Sequence, residues 1–74
     1  MRQRFWRGWL TERLPAEIGA KISGVAEREG TLVIFAESAV WSARLRFALR
    51  ELESQIYAAD SRVHAVVVRV LPRG

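Results

Sequence analysis

Three arginines on one predicted helix are the residues of this chain best suited to chemistry. Arg44, Arg46 and Arg50 lie in the run WSARLRFALR, and the last two are four residues apart. That spacing puts Arg46 and Arg50 on one helical face, where two like charges destabilise an isolated helix slightly unless an anion binds them. Guanidinium is planar and donates two parallel hydrogen bonds, which suits phosphate. The pattern therefore predicts a surface that binds a polyanion.

Arginine also recurs on a predicted first helix, where Arg4 and Arg7 lie opposite the apolar residues. The net charge of +4 favours a polyanionic partner. The alternative is an ordinary solvated face, and a GC-rich genome explains the excess of arginine over lysine equally well. We expect the arginines of the two helices to converge on one cationic surface, and the candidate nucleic-acid-binding residues are Arg4, Arg7, Arg44, Arg46 and Arg50.

Catalytic chemistry has few candidates in this chain. His64 is the single histidine, cysteine is absent, and the neighbours of His64 are valines and an alanine rather than an acid or a nucleophile. No glycine-rich phosphate motif and no metal-ligand pattern is present, so no cofactor is expected. No apolar run has the length of a signal peptide or of a membrane span. The sequence predicts a non-catalytic, cytoplasmic binding protein with no membrane partner.

The order of predicted elements is α-α-β-β-α-β. Apolar residues at three- and four-residue steps mark the helices, and β-branched runs mark the strands. Gly30 supplies a hairpin turn, and Ser38 is a plausible N-cap of the long helix. The predicted helices cover residues 3–14, 16–21 and 39–59, and the predicted strands cover 22–29, 31–36 and 62–71.

These elements predict a small α+β domain over residues 1–74, with a three-stranded sheet and the helices packed on one face. Trp6, Trp9 and Trp41 fall at core-facing positions, which leaves other aromatic residues as weaker candidates for stacking on a base. Those weaker candidates are Phe5, Phe47 and Tyr57.

The second strand and the last strand are apolar on both sides, although the predicted helices cover only one face of the sheet. Val33 and Phe35 on the second strand, and Ala65 and Val67 on the last, are the candidate interface with a second copy or a partner protein. The alternative is that the first helix wraps around to cover them.

The residues from Gly30 to Ile34, followed by the run Ser38 to Phe47 (SAVWSARLRF), resemble the core of the DciA family. Leu14-Pro15 and the valine-rich end at Leu71-Pro72 are similar to that family as well. The resemblance implies a KH-like domain that operates or loads the bacterial replicative helicase, and binds both helicase and single-stranded or tailed DNA. No Gly-x-x-Gly loop joins two helices, so DNA binding in the usual KH manner is not expected. The alternative function is a protein-interaction or dimerisation domain.

Overall fold

The computed structural model describes the backbone of residues 2–71 and the side chains of residues 5–71. Four helices and three strands follow one another in the order α-α-β-β-α-α-β. They are α1 (Arg2–Arg13), α2 (Ala16–Gly19), β1 (Ile22–Arg28), β2 (Thr31–Ala36), α3 (Ala39–Arg50), α4 (Glu53–Ala59) and β3 (Ala65–Val70). The prediction of a small α+β fold is confirmed, with one helix more than expected.

The three strands form a mixed sheet in the order β1-β2-β3. The hairpin strands β1 and β2 are antiparallel, whereas β2 and β3 are parallel, with Thr31 opposite Ala65 and Ala36 opposite Val70. Because parallel neighbours need a crossover, α3 and α4 together form the connection from β2 to β3. Helix α1 packs on β1, and α3 packs on β2 and β3. The two edges of the sheet, β1 and β3, are therefore covered by different helices.

One apolar core lies between the helices and the sheet. Trp6 is fully buried at its centre, and the indole N–H of Trp6 donates a hydrogen bond of 3.2 Å to the Glu27 carboxylate on β1. Trp9 and Trp41 are half-buried and pack against this core from its margin, so the tryptophans share the core unequally. The other buried apolar residues are Leu10, Leu14, Ile22, Val25, Leu32, Ile34, Ala36, Leu45, Leu49, Leu52, Ile56 and Val63.

The β1–β2 turn depends on Gly30. Its φ of +84° lies in the left-handed region, and a Cβ there would collide with the His64 ring and the Arg62 carbonyl. The Gly30 carbonyl accepts hydrogen bonds from the backbone N–H groups of His64, at 2.8 Å, and Ala65, at 3.4 Å. The hairpin tip is thereby attached to the start of β3.

The predicted helix over residues 39–59 is wrong in one respect, because it is two helices. At the break, the N–H of Glu51 bonds to the carbonyl of Ala48 and the N–H of Leu52 to that of Leu49, each three residues back, at 3.3 and 3.0 Å. These tighter bonds end α3, and α4 begins at Glu53. No glycine occurs in the turn, which agrees with the lack of a Gly-x-x-Gly loop.

The last strand starts at Ala65 rather than at residue 62. Asp60 accounts for the delay, because its carboxylate accepts the Arg62 N–H at 2.9 Å and its carbonyl accepts the Val63 N–H at 3.0 Å. This turn rotates Val63 into the core, although strand alternation places it on the same face as Ala65.

Candidate nucleic-acid interface

The position of helix α3 is determined by its N-cap residue and by the leucines that it buries against the sheet. The Ser38 hydroxyl accepts a hydrogen bond of 3.4 Å from the Trp41 N–H, which satisfies one free donor of the first turn. Leu45 and Leu49 are buried against the sheet, and this leaves Arg46 and Arg50 on the exposed surface of the helix. The core side of α3 therefore determines where its arginines lie.

Arg46 and Arg50 form a ridge between two shallow depressions, and we call this pair the arginine ridge. One depression, of about 250 Å³, is lined by Ala43, Phe47 and the two arginines. The other, of about 160 Å³, lies on the β3 side of the ridge. It is lined by Arg46, Leu49, Arg50, Glu53, Val66 and Val68.

Neither arginine of the ridge has a partner among residues 5–71, whose side chains the structure describes. The ion pairs seen there are Arg13–Glu12, Lys21–Glu37 and Arg62–Asp60. Two unneutralised guanidinium groups one helical turn apart repel each other and attract an anion. Ser42, one turn before Arg46, is buried and does not extend the ridge.

Arg44 lies on the other side of α3, because it is two positions before Arg46, whereas residues on one face of a helix are three or four positions apart. Its guanidinium carbon is 5.2 Å from the centroid of the Trp41 ring, and the Lys21 ammonium is 5.3 Å from the same centroid. Lys21 also pairs with Glu37 at 3.7 Å. The indole thus holds both cations by cation–π attraction, away from the ridge.

Arg7 is attached to the opposite edge of the sheet. Its guanidinium donates a hydrogen bond of 3.1 Å to the carbonyl of Ile22 on β1, whereas the ridge lies beside β3. The strand order places β2 between these two edges. The side chain of Arg4 lies outside the described residues. The structure therefore brings Arg46 and Arg50 together, and it places Arg7 and Arg44 elsewhere.

One feature beside the ridge escaped sequence reasoning, and a second one, Phe47, was predicted only as a weaker candidate for stacking on a base. The valines Val66 and Val68 of β3 line one depression because β3 lies next to β2, which required the strand order. Phe47 lines the other and is 73% exposed. The signal for Phe47 was present in the sequence, since it lies next to Arg46 and on the outer side of the helical stripe.

The four candidate interface residues of the sheet, Val33, Phe35, Ala65 and Val67, share the face that points away from the helices. Val33 pairs with Val67 across β2 and β3, and all four are half-buried. Helix α1 packs on the core face of β1 and does not cover these four residues. The alternative in which the first helix wraps around the sheet is therefore wrong for the described residues.

No group of three or more histidine or acidic side chains that could hold a metal ion occurs among the described residues. Within the described part of the chain, the helices are too short or too polar to cross a bilayer. A family model described as "Dna[CI] antecedent, DciA" matches residues 1–69. No curated protein and no solved structure matches the chain.

Proposed function

This chain belongs to the DciA family, and we propose that it binds the DNA backbone through Arg46 and Arg50 while it interacts with the replicative helicase. Membership in the family gives the chain a role in helicase loading and interaction with the bacterial replicative helicase. The family is not known for catalysis. A protein with this role works in the cytoplasm, beside replicating DNA.

The arginine ridge is the observation that carries the proposal. Most other cations whose side chains are described have a partner that holds them: Arg7 a carbonyl, Arg13 and Arg62 acids, and Lys21 and Arg44 the Trp41 ring. The ridge has two guanidinium groups side by side with no acid paired to either. Phosphate oxygens are bound by such pairs through charge-assisted hydrogen bonds.

The shape of the ridge favours contact with the backbone over reading of sequence. Both depressions are shallow, and one wall of the β3-side depression is apolar. Glu53 also lines that depression, and its negative charge repels phosphate there, which limits the site to the ridge. We therefore expect binding with little preference for base sequence.

The salt dependence of binding tests the size of this site. Two phosphate contacts predict that log affinity falls with log salt at a slope of about −1.4 for single strands, from about −0.7 per contact. Fluorescence anisotropy with a labelled thymidine oligonucleotide, repeated over a series of salt concentrations, measures the slope. A slope near zero, or no binding at low salt, contradicts the proposal.

A second candidate function uses the open face of the sheet. Phe35 lies over Gly24 on β1, and alternation places Arg28 and Arg69 on the same face with Val33 and Val67. Alternation puts no acid among the strand residues of this face. A second copy would bring like charges together, whereas an apolar segment with acidic flanks complements the surface. We infer that this face contacts an acidic segment of a partner protein.

Val67→Glu is expected to weaken capture of the purified replicative helicase by about tenfold, because a central contact of an interface contributes more than about 1 kcal/mol. The acid would also repel an acidic segment. Binding to DNA is the control, and it should stay unchanged. Light scattering over a range of protein concentrations tests whether a second copy of the chain covers this face instead. A dimer that Val67→Glu converts to a monomer would show that it does.

A further inference from the structure

Phe47 is an exposed aromatic residue beside the arginine ridge. Its side chain is 73% exposed, and it lines the same depression as Arg46 and Arg50. Single apolar side chains are ordinary on a protein surface, so the informative feature is the position of this ring beside two unpaired cations and not its exposure alone. An aromatic surface beside cations is the combination that single-stranded nucleic acids bind, by stacking of bases and pairing of phosphates.

The other aromatic residues are less suited to this role. Trp6 is fully buried, and Trp9 and Trp41 lie against the core with cations over their rings. Phe5 is 49% exposed, but its ring packs edge-on against Trp6, with centroids 5.1 Å apart. Tyr57 is half-buried and packs against the core. Phe47 is the ring among the described side chains that is both open to solvent and next to the ridge.

A protein partner fits these observations less well than a base does. Val40 is the other large apolar residue exposed on α3, at 64%, and it lies seven residues before Phe47. Seven residues span about 10 Å of helix, and a stable protein interface buries about 800 Å² on each partner. Ala43 and Arg44 lie between Val40 and Phe47 on the helical face, and two apolar side chains so far apart do not by themselves provide such an area. One ring is enough to stack one base.

We propose that Phe47 stacks on an unpaired nucleobase and makes the arginine ridge select single-stranded over double-stranded DNA. The inference rests on the proposed function, since the ridge must hold the phosphates that flank the stacked base. In a duplex both faces of each base are covered by neighbouring base pairs, so Phe47 gains nothing there. The ridge binds the backbone of either form, and Phe47 adds affinity for the single strand alone.

Phe47→Ala tests this selectivity. Stacking contributes about 1–3 kcal/mol for each base, which predicts a loss of about 5- to 150-fold in affinity for a thymidine oligonucleotide. Affinity for a blunt duplex of the same length should change less than about twofold, and the salt slope should stay the same because no phosphate contact is removed. Phe47→Trp should keep or raise the single-strand affinity. Anisotropy measures all four quantities.

Val40→Ala is the matched control, since it removes an exposed apolar side chain from the same helix, and both affinities should be unchanged. Alanine favours the helix, and far-ultraviolet circular dichroism verifies that both variants fold. An equal effect of Phe47→Ala on single strand and duplex, or an effect on neither, overturns the proposal while the arginine contacts stand. Loss of helicase capture without loss of DNA binding overturns it as well, in favour of a protein contact. No DNA binding by the unaltered chain removes the proposed function too.

Discussion

Replacement of both Arg46 and Arg50 with alanine is expected to lower the affinity for a thymidine oligonucleotide by about a hundredfold at low salt. A hydrogen bond to a charged group contributes about 1.5–3 kcal/mol, so the loss of two exceeds the 2.7 kcal/mol that a hundredfold change requires. The salt slope should fall from about −1.4 to near zero, because both phosphate contacts are removed. Anisotropy with the same oligonucleotide measures both changes, and duplex affinity should fall in parallel.

The control for this double variant is the pair Arg28→Ala and Arg69→Ala. It removes the same charge from the opposite face of the sheet, where alternation places both side chains. For the control we expect only a small loss of affinity for the oligonucleotide, because the net positive charge of the protein is lower. An equal loss for both double variants would mean that net charge, and not the ridge, attracts DNA. The ridge variant should not be less stable, since it removes a like-charged pair one helical turn apart.

Trp6→Ala is expected to destabilise the fold by about 3–5 kcal/mol, the usual cost of removing a buried aromatic ring. The variant would leave a cavity at the centre of the core and would take the indole N–H from the Glu27 carboxylate. A domain of this size buries a small core, so this loss uses up most or all of its stability. Urea denaturation followed by circular dichroism measures the change, and the variant should be largely unfolded before denaturant is added.

Phe47→Ala provides the comparison for Trp6→Ala, because it removes an aromatic ring from the surface and should change stability by less than about 0.5 kcal/mol. Trp6→Phe should fall between the two, since it keeps an aromatic ring in the core but removes the indole N–H. Equal midpoints for Trp6→Ala and the unaltered chain would show that α1 is not part of the cooperative unit.

The helices and strands of this chain were largely predictable because each has a clear period. The division of the long helix was not, since Glu51 and Leu52 are good helix formers and neither proline nor glycine marks the break. Leu52, at the break, and Ile56, in α4, are both buried in the core. The position of the break between α3 and α4 therefore depends on tertiary packing and not on local helix propensity.

The ridge was predictable because it depends only on the four-residue spacing within α3. The expected meeting of arginines from two helices was not, because it depends on which strand each helix covers. Arg7 follows α1 to β1, and Arg46 follows α3 to the β3 side. The sequence does not state the order of strands, so it could not show that these two edges are separated by β2.

The connection between Gly30 and the start of β3 bears on how that strand finds its alignment. Val66, Val67 and Val68 are consecutive, so if β3 shifted by one residue against β2, a valine would still face the core. Apolar packing alone therefore distinguishes poorly between the two alignments. The carbonyl of Gly30, which holds the N–H groups of His64 and Ala65, and the charge of Arg69, which a slip would turn inward, decide between them. In this chain a hairpin tip and a single cation prevent mispairing of the strand that lies beside the arginine ridge.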